Sequence, residues 1–203
     1  MRRTKEEAAE TRREILRSAE MLFLDKGYEN VTLDEIAATA GVTRGAVHWH
    51  FKNKQGLLFA IRDRAQLPFQ ELAERIAQGG APNPLEMVAD TISAIFSDLQ
   101  NEPRKRGLLK VIMHLDMAFS DDVADDAMSF RHDMQEHFAR IFRAMDTTQP
   151  LPPPWTADTV ASALTAVIGG LIAEWVLDKG DFELVPCGQA FIKMILTTWF
   201  PTH

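Results

Sequence analysis

Hydrophobic side chains recur every three to four residues along almost the whole chain, the spacing of one face of an α-helix. Thr11, with Glu14 three residues later, has the form of a capping box and predicts a first helix over about 11–26. Gly27 is a typical residue just beyond a helix C-terminus. No stretch shows the strict alternation of a β-strand, so the pattern predicts an all-α protein.

Three start signals open short helices in the next part of the chain, with N-caps at Thr32, Thr43 and Asn53. Gly41 separates the first two of these helices, because glycine tolerates the backbone angles of a tight turn. Pro68 lies inside the continuing pattern of the next helix. It predicts a kink there, or a helix end near Leu67.

Proline and glycine also divide the second half of the chain. A loop at 79–84 ends with Asn83, a cap, and Pro84, which suits a first helical turn. The segment 149–154 holds four prolines and predicts a stiff connector. The remaining helices are predicted at about 84–100, 103–117, 121–146, 157–178 and 186–200.

The charge of the chain is divided unevenly. Residues 1–64 carry a net charge of +2 and residues 65–203 a net charge of −9, which together give the overall −7. This asymmetry suggests two tasks, and we expect an N-terminal three-helix domain over 1–53 and a C-terminal helical domain over 54–203.

Composition excludes several classes of protein. The single cysteine, Cys187, cannot form an intramolecular disulfide, and its neighbours in sequence predict an inert core thiol rather than a sensor. No stretch approaches the ~18 consecutive apolar residues of a membrane span. The highly charged N-terminus is unlike a signal peptide. The sequence therefore predicts a cytoplasmic protein without a membrane partner.

Residues 32–54 have the form of a helix-turn-helix, whose second helix enters the DNA major groove. Arg44, at the start of that helix, can bond guanine O6 and N7 in bidentate fashion. Gly45 and Ala46 are small enough for close approach to the bases. Lys54 begins the next helix, whose N-terminal dipole attracts a phosphate. The predicted DNA-binding set is completed by Thr32, Thr43, His48 and His50.

The runs Thr32-Leu-Asp-Glu-Ile-Ala37 and Thr43-Arg-Gly-Ala-Val-His-Trp-His-Phe-Lys-Asn-Lys54 resemble the DNA-binding domain of the TetR family of repressors. The resemblance covers about residues 2–64, and the N-terminal run 3–12 resembles the AcrR and TtgR branch. It implies a repressor of a multidrug efflux operon that hydrophobic molecules release from a palindromic operator. His48 stands where the family usually has tyrosine, so a phosphate bond can persist while an apolar contact is lost.

Methionine and phenylalanine are frequent on the predicted middle helices, with polar groups between them. Thioether side chains repack easily, and a mostly apolar pocket with a few polar groups suits a drug-sized ligand. The family resemblance places such a pocket among these helices. The predicted lining residues are Met87, Phe96, Met113, His114, Met117, Met134, Phe138, Ile168 and Trp175.

The last two predicted helices carry wide apolar stripes, which bury either within one subunit or against a second copy. The family resemblance implies a two-fold, four-helix interface here. A homodimer also suits DNA reading, because two helices related by a dyad match a palindrome. The predicted interface residues are Ala161, Leu164, Leu171, Phe191, Ile195 and Trp199.

Two alternative functions remain open from the sequence alone. Asp121, Asp122 and Asp125 fit the acidic pattern that holds magnesium and diphosphate in all-α prenyl-diphosphate enzymes, although acids in a first helical turn are also favoured by the helix dipole. The second alternative is a DNA-binding activator without an effector. His48 and His50 point about 200° apart on a helix and cannot share one metal ion, so neither a metal nor a cofactor is expected.

Overall fold

The computed structural model describes residues 5–79, 82–118, 122–146, 150–177 and 181–200, and the side chains of these residues outside 114–129. The described residues form α-helices and short helical turns and contain no β-strand, which confirms the all-α prediction. The helices are α1 (Lys5–Lys26), α2 (Leu33–Thr39), α3 (Arg44–Phe51), α4 (Lys54–Asp63), α5 (Leu67–Ala77), α6 (Pro84–Asn101), α7 (Pro103–Ala118), α8 (Asp122–Asp146), α9 (Ala157–Val176) and α10 (Gln189–Trp199).

The N-cap signals read from the sequence are confirmed for most helices. Thr32 makes a complete capping box with Glu35 at the start of α2, and Thr43, Asn53 and Asn83 accept the expected backbone N–H bonds at α3, α4 and α6. These side chains satisfy N–H groups that the helix itself leaves without partners.

The predicted start of α1 is wrong. α1 begins at Lys5, and Thr11 lies inside the helix, where its hydroxyl donates to the carbonyl of Glu7 at 2.8 Å. The alanines and glutamates of 6–10 are strong helix formers and extend the helix without a cap at Thr11.

The helix before Pro68 ends several residues ahead of the proline. α4 ends at Asp63, a 3₁₀ turn follows over Arg64–Gln66, and α5 begins at Leu67 with Pro68 in its first turn. A proline in a first turn costs no hydrogen bond, because that N–H has no helical acceptor.

The chain divides into two compact units. Unit 1 comprises 1–65 and 107–115, and unit 2 comprises 66–106 and 116–203. α4 therefore lies in unit 1, whereas the sequence predicts that the second domain begins at residue 54. The assignment of functional domains to 1–53 and 54–203 stays a prediction.

Unit 1 has a continuous aliphatic core. Ile15, Ile36, Val47 and Leu57 come from α1, α2, α3 and α4, and each is fully buried. Ile112 of α7 joins the same cluster. The core fixes α3 by its inner face and leaves the opposite face of that helix in solvent.

Unit 2 contains a series of packed aromatic rings. Phe138 lies between Phe69 and Phe142, at centroid distances of 4.8 Å and 6.3 Å, and Phe142 lies 5.6 Å from Phe200. Aromatic pairs at these distances stabilise a core beyond the area that they bury. The rings join α5, α8 and the end of α10.

α9 is long and strongly apolar. Among the described helices, it is the one long and apolar enough to cross a membrane by length and composition, with a mean hydropathy of 1.6, and 28% of that stretch is buried. One face packs on α8. Much of its apolar surface therefore remains uncovered in the single chain.

The burial of His137 in α8 predicts that part of the free energy of unfolding is lost at acidic pH. Its Nδ1 is buried without a hydrogen-bond partner among the described residues. Burial, with a smaller effect of Arg140, lowers the pKa of His137 below its ordinary 6.5, against the opposing effects of Asp133, Glu136 and Glu74. The folded state thus binds this proton less readily than the unfolded state does. The contribution of the neutral ring is present above pH 6.5 and is lost as the pH falls from 6.5 towards the folded value.

We therefore expect the free energy of unfolding to fall more between pH 7.5 and 5.5 in the wild type than in a His137→Leu variant. Urea denaturation at both pH values measures this difference. His132→Gln, at an exposed histidine of the same helix, serves as the control. Equal pH dependence in the wild type and His137→Leu would contradict the expectation.

Candidate functional site

α2 and α3 form the predicted helix-turn-helix. Gly41 has φ +66°, in the left-handed region that favours glycine, and Val42 N donates to Ala37 O at 2.9 Å across the turn. Val47 and Phe51 anchor α3 in the core of unit 1. The turn and the two anchors fix the direction in which α3 presents its other side.

The solvent face of α3 carries a guanidinium, an imidazole and an indole. The exposed residues are Arg44, Gly45, His48 and Trp49, with Thr43 and Lys52 at the two ends, whereas Ala46 and His50 are half-buried. Trp49 is 73% exposed and was not predicted from the sequence. The sequence signal for this residue was an aromatic side chain on the polar face of a predicted helix.

Arg44 is held by a neighbour on the other helix. Its Nη1 donates to Oδ2 of Asp34 at 3.0 Å, and both side chains are about two-thirds exposed, at 67% and 64%. An exposed ion pair of this kind contributes about 0–1 kcal/mol. It orients the guanidinium without removing it from the surface.

His48 lies against the end of its own helix. Its Nδ1 is 2.5 Å from the carbonyl oxygen of Lys52, a residue with φ +59°. A ring nitrogen at this distance from a carbonyl donates its proton, so the neutral ring has its lone pair on Nε2. The nitrogen left for an outside partner is Nε2.

Thr32 is occupied by the cap of α2. Its backbone N–H and hydroxyl both donate to Glu35 Oε2, at 2.9 Å and 3.0 Å, and Lys26 Nζ donates to the other oxygen of that carboxylate at 3.0 Å. The hydrogen bond from Lys26, followed by those from Thr32, lowers the pKa of Glu35 to about 2. The predicted DNA contact of Thr32 stays a prediction.

Lys54 is bonded to the segment that follows α1, and its predicted phosphate contact stays a prediction. Its ammonium donates to the carbonyls of Tyr28 at 2.8 Å, Val31 at 3.1 Å and Glu29 at 3.4 Å, and it lies 4.3 Å from the centre of the Tyr28 ring. An ammonium group has three N–H donors. To reach a phosphate, Lys54 would have to leave the loop between α1 and α2.

Replacing Lys54 by methionine keeps the stem and removes the ammonium. We expect a loss of about 2 kcal/mol in the free energy of unfolding, since three carbonyls lose a charged donor at a half-buried position. The salt dependence of DNA binding should stay unchanged. Thermal denaturation and DNA titration at several salt concentrations measure the two effects.

Lys52→Gln provides the matched control, because Lys52 is exposed at the end of α3. Its loss should reduce the salt slope by about one per subunit if it contacts phosphate, with stability retained. A smaller salt slope and unchanged stability in Lys54→Met would restore the original prediction for Lys54.

The predicted effector-pocket residues fall into three groups. Phe96, Phe138 and Trp175 are buried in the packed core, and Gly188 approaches Phe96 so closely that an added Cβ would lie 3.1 Å from its ring. These three side chains pack against other protein groups, and their place in a pocket lining stays a prediction. The predicted lining residues that are half-buried are Met87, Met113, Met134 and Ile168. The predicted lining residues His114 and Met117 lie outside the described side chains.

Trp175 has a structural partner on each side. Arg106 Nη2 donates to the Trp175 carbonyl at 2.7 Å, and its guanidinium carbon lies 4.3 Å from the ring centre, while the indole N–H donates to Glu183 at 3.3 Å. These contacts close the C-terminal end of α9, where a cation is favoured by the helix dipole.

A surface groove of about 410 Å³ lies along α5 and α6. Its lining residues are Pro68, Glu71, Leu72, Arg75 and Thr91. The volume lies within the range of small-molecule sites, and the lining combines apolar surface with charges of both signs. None of these residues belongs to the predicted lining.

The predicted dimer residues differ in their exposure within the single chain, and their role in an interface stays a prediction. Ala161 and Leu164 are fully buried within unit 2, and Trp199 is 6% exposed, so these side chains face the core of their own chain. Leu171 and Ile195 are half-buried, and Phe191 is 41% exposed.

The apolar surface that remains exposed on α9 and α10 lies beside the buried stripe of each helix. On α9 it follows the small residues Ser162, Ala166, Gly169 and Gly170, and on α10 it includes Phe191 and Met194, which is 56% exposed. Of the residues that the sequence pattern favoured, Ala161, Leu164 and Trp199 fill the core and Phe191 lies at the surface. The smaller residues at the surface give a second helix room for close approach.

The alternatives based on other chemistry receive no support from the described residues. Asp121 lies outside them, and the side chains of Asp122 and Asp125 are not among those described. No cluster of metal-binding side chains occurs in the described part of the chain. Cys187 is exposed, which corrects the expectation of a core thiol.

Two family models match the chain. The model of bacterial regulatory proteins of the TetR family matches residues 15–61. The model of the C-terminal region of MAATS-type transcriptional repressors matches residues 83–200, more than half of the chain.

Relatives match over nearly the whole length. The HTH-type transcriptional repressor BepR of Brucella suis biovar 1 is 34% identical over 201 residues, covering 97% of this chain and 95% of BepR. The HTH-type transcriptional regulator TtgR of Pseudomonas putida is 33% identical over 188 residues, covering 91% of this chain and 89% of TtgR.

Solved structures agree with this assignment. The complex of SmeT with triclosan has a TM-score of 0.72 at 29% identity, and the match covers 94% of this chain and 91% of SmeT. SmeT is the repressor of the multidrug efflux pump SmeDEF of Stenotrophomonas maltophilia. The family and these relatives are transcriptional regulators rather than enzymes, against the prenyl-diphosphate alternative. The chain therefore belongs to the TetR family of bacterial transcriptional repressors and is related to the regulators of multidrug efflux.

Proposed function

We propose that this protein is a cytoplasmic repressor that binds a palindromic operator as a homodimer and leaves it when a hydrophobic small molecule binds unit 2. The regulated operon encodes a multidrug efflux pump. The observation that carries the proposal is the solvent face of α3, where Arg44, His48 and Trp49 project from a helix anchored by Val47 and Phe51.

The reading contacts divide by chemistry. Arg44 bonds a guanine edge, Gly45 and Ala46 allow the helix to lie close to the bases, and Thr43 contacts a phosphate or base edge. Because Nδ1–H of His48 is engaged by Lys52 O, Nε2 of the neutral ring accepts from an amino group of a base edge, and a phosphate contact requires the protonated ring. Trp49 lies against sugar or a thymine methyl, while His50, half-buried beside the indole, contributes a phosphate contact.

Arg44→Ala is expected to lose about 1–3 kcal/mol of discrimination at one base pair in each half-site. The measurement is fluorescence anisotropy with the operator and with variants changed at each base pair. Uniform weakening on all DNA would instead make Arg44 a phosphate contact.

The homodimer is supported by the uncovered apolar faces of α9 and α10. An apolar helix with an exposed stripe of small residues is poorly suited to water and well suited to packing on an identical helix. A two-fold axis there gives two copies of α3, which read the two halves of a palindrome.

Effector release follows from linkage. A ligand that binds better to the dimer when its two reading helices are spaced wrongly for DNA shifts the population away from the operator-bound state, and DNA weakens ligand binding by the same factor. The groove along α5 and α6 supplies a mixed apolar and polar surface within unit 2, to which the half-buried Met87, Met134 and Ile168 also belong.

Triclosan, which the related SmeT binds, is a suitable first probe because it is small, aromatic and apolar. Release of operator DNA by triclosan would support the proposal. Operator binding that neither triclosan nor other hydrophobic compounds relieve would indicate a regulator without an apolar effector.

A further inference from the structure

The ion pair between Arg44 and Asp34 joins the two helices of the reading head. Asp34 lies in the first turn of α2 and Arg44 begins α3, ten residues later, and their side chains meet at 3.0 Å. Both side chains are on the surface. The carboxylate therefore stands beside the group proposed to read a base.

The ion pair leaves most of the guanidinium available. A guanidinium has five N–H donors, and a bidentate contact with guanine uses two of them. Asp34 accepts from Nη1 alone. Arg44 can thus keep its bond to Asp34 while it binds a guanine edge.

Binding to a non-operator sequence places different demands on the same pair. Without a matching guanine, Arg44 gains most by turning to a phosphate, because phosphate contacts supply nearly all non-specific affinity. That movement separates it from Asp34. The carboxylate is then left beside the negative DNA backbone without its counter-charge, which is unfavourable.

We infer that Asp34 is a specificity-determining residue, which holds Arg44 for the base contact and penalises its use as a phosphate contact. This inference rests on the proposed role of Arg44 in reading DNA. Asp34 itself donates no hydrogen bond to DNA and acts through Arg44.

The test compares Asp34→Asn with the wild type on two DNA duplexes of equal length, the operator and a scrambled sequence, at one salt concentration. We expect the Kd for scrambled DNA to fall about five- to tenfold, with little change for the operator, so that the specificity ratio falls by the same factor. In an Arg44→Ala background, Asp34→Asn should leave the ratio unchanged. Equal tightening on both duplexes, or the same change of ratio in both backgrounds, would overturn the inference.

Two controls distinguish the effect of Asp34 on Arg44 from a general effect of removing a negative charge and from a loss of stability. Glu29→Gln removes another exposed carboxylate of unit 1 and should leave the specificity ratio unaltered. The melting temperature of Asp34→Asn should lie within about 4 °C of the wild type, because an exposed ion pair contributes little to stability; a larger fall with weaker binding to both duplexes would assign Asp34 a purely structural role.

Failure of this inference differs from failure of the proposed function. If Arg44→Ala itself leaves the specificity ratio unchanged, Arg44 does not read a base and the proposed role is wrong. If Arg44→Ala lowers the ratio and Asp34→Asn does not, Arg44 reads DNA without the help of Asp34.

Discussion

In the proposed homodimer, replacing Ala166 with arginine should separate the two subunits and weaken operator binding about 100-fold or more, because each half-site then binds without the second head tethered to it. Ala166 is exposed near the middle of α9, between Ser162 and Gly169 on the uncovered face. A long charged side chain there prevents close helix packing and places a charge in an apolar interface. Sedimentation and anisotropy with operator DNA measure the two effects.

Ala94→Arg is the matched control, since Ala94 is an exposed alanine of α6 in the same unit. It adds the same charge to a helix surface and should leave both the oligomeric state and the operator affinity unchanged. Circular dichroism should show that both variants keep their helices. An Ala166→Arg protein that remains dimeric with wild-type affinity would move the interface away from α9.

Gly56→Ala should destabilise unit 1 by about 3 kcal/mol or more and abolish operator binding. A Cβ at residue 56 would lie 2.3 Å from the carbonyl oxygen of Phe51, a backbone atom that no side-chain rotation can remove. The first turn of α4 approaches the end of α3 this closely because two residues, Lys52 and Asn53, join the helices. Any relief of the contact therefore displaces the reading helix.

Gly107→Ala serves as the control for this substitution. Gly107 is a helical glycine of α7 in the same unit, and nothing lies within 4 Å of its added Cβ. Alanine is favoured over glycine in a helix, so this variant should gain about 1 kcal/mol. Thermal denaturation of both variants gives the comparison, and equal melting temperatures would contradict the steric account of Gly56.

Local signals in the sequence predicted much of the fold. Capping depends on residues three positions apart, so Thr32, Thr43 and Asn53 could be identified without knowledge of tertiary structure. The turn at Gly41 is equally local, because it depends on one backbone angle. Thr11 shows the limit of such signals, since a cap residue within a run of good helix formers can simply join the helix.

Features that depend on distant residues were not predictable in the same way. The bonds from Lys54 to the loop after α1 connect residues more than 20 positions apart, and periodicity carries no information about them. Periodicity also finds an apolar stripe without saying what covers it. On α9 the large residues such as Leu164 fill the core, while the small ones near Ala166 remain at the surface.

We propose that an apolar ligand and operator DNA compete through one dimer. The most direct measurement is the anisotropy of a labelled duplex from the region upstream of the protein's own gene, titrated with protein at increasing concentrations of an apolar compound. We expect tight binding that Arg44→Ala reduces and that the compound weakens progressively to a plateau, because linkage has a finite limit. Binding to this duplex that equals binding to scrambled DNA, or that does not change with any apolar compound, would contradict the account.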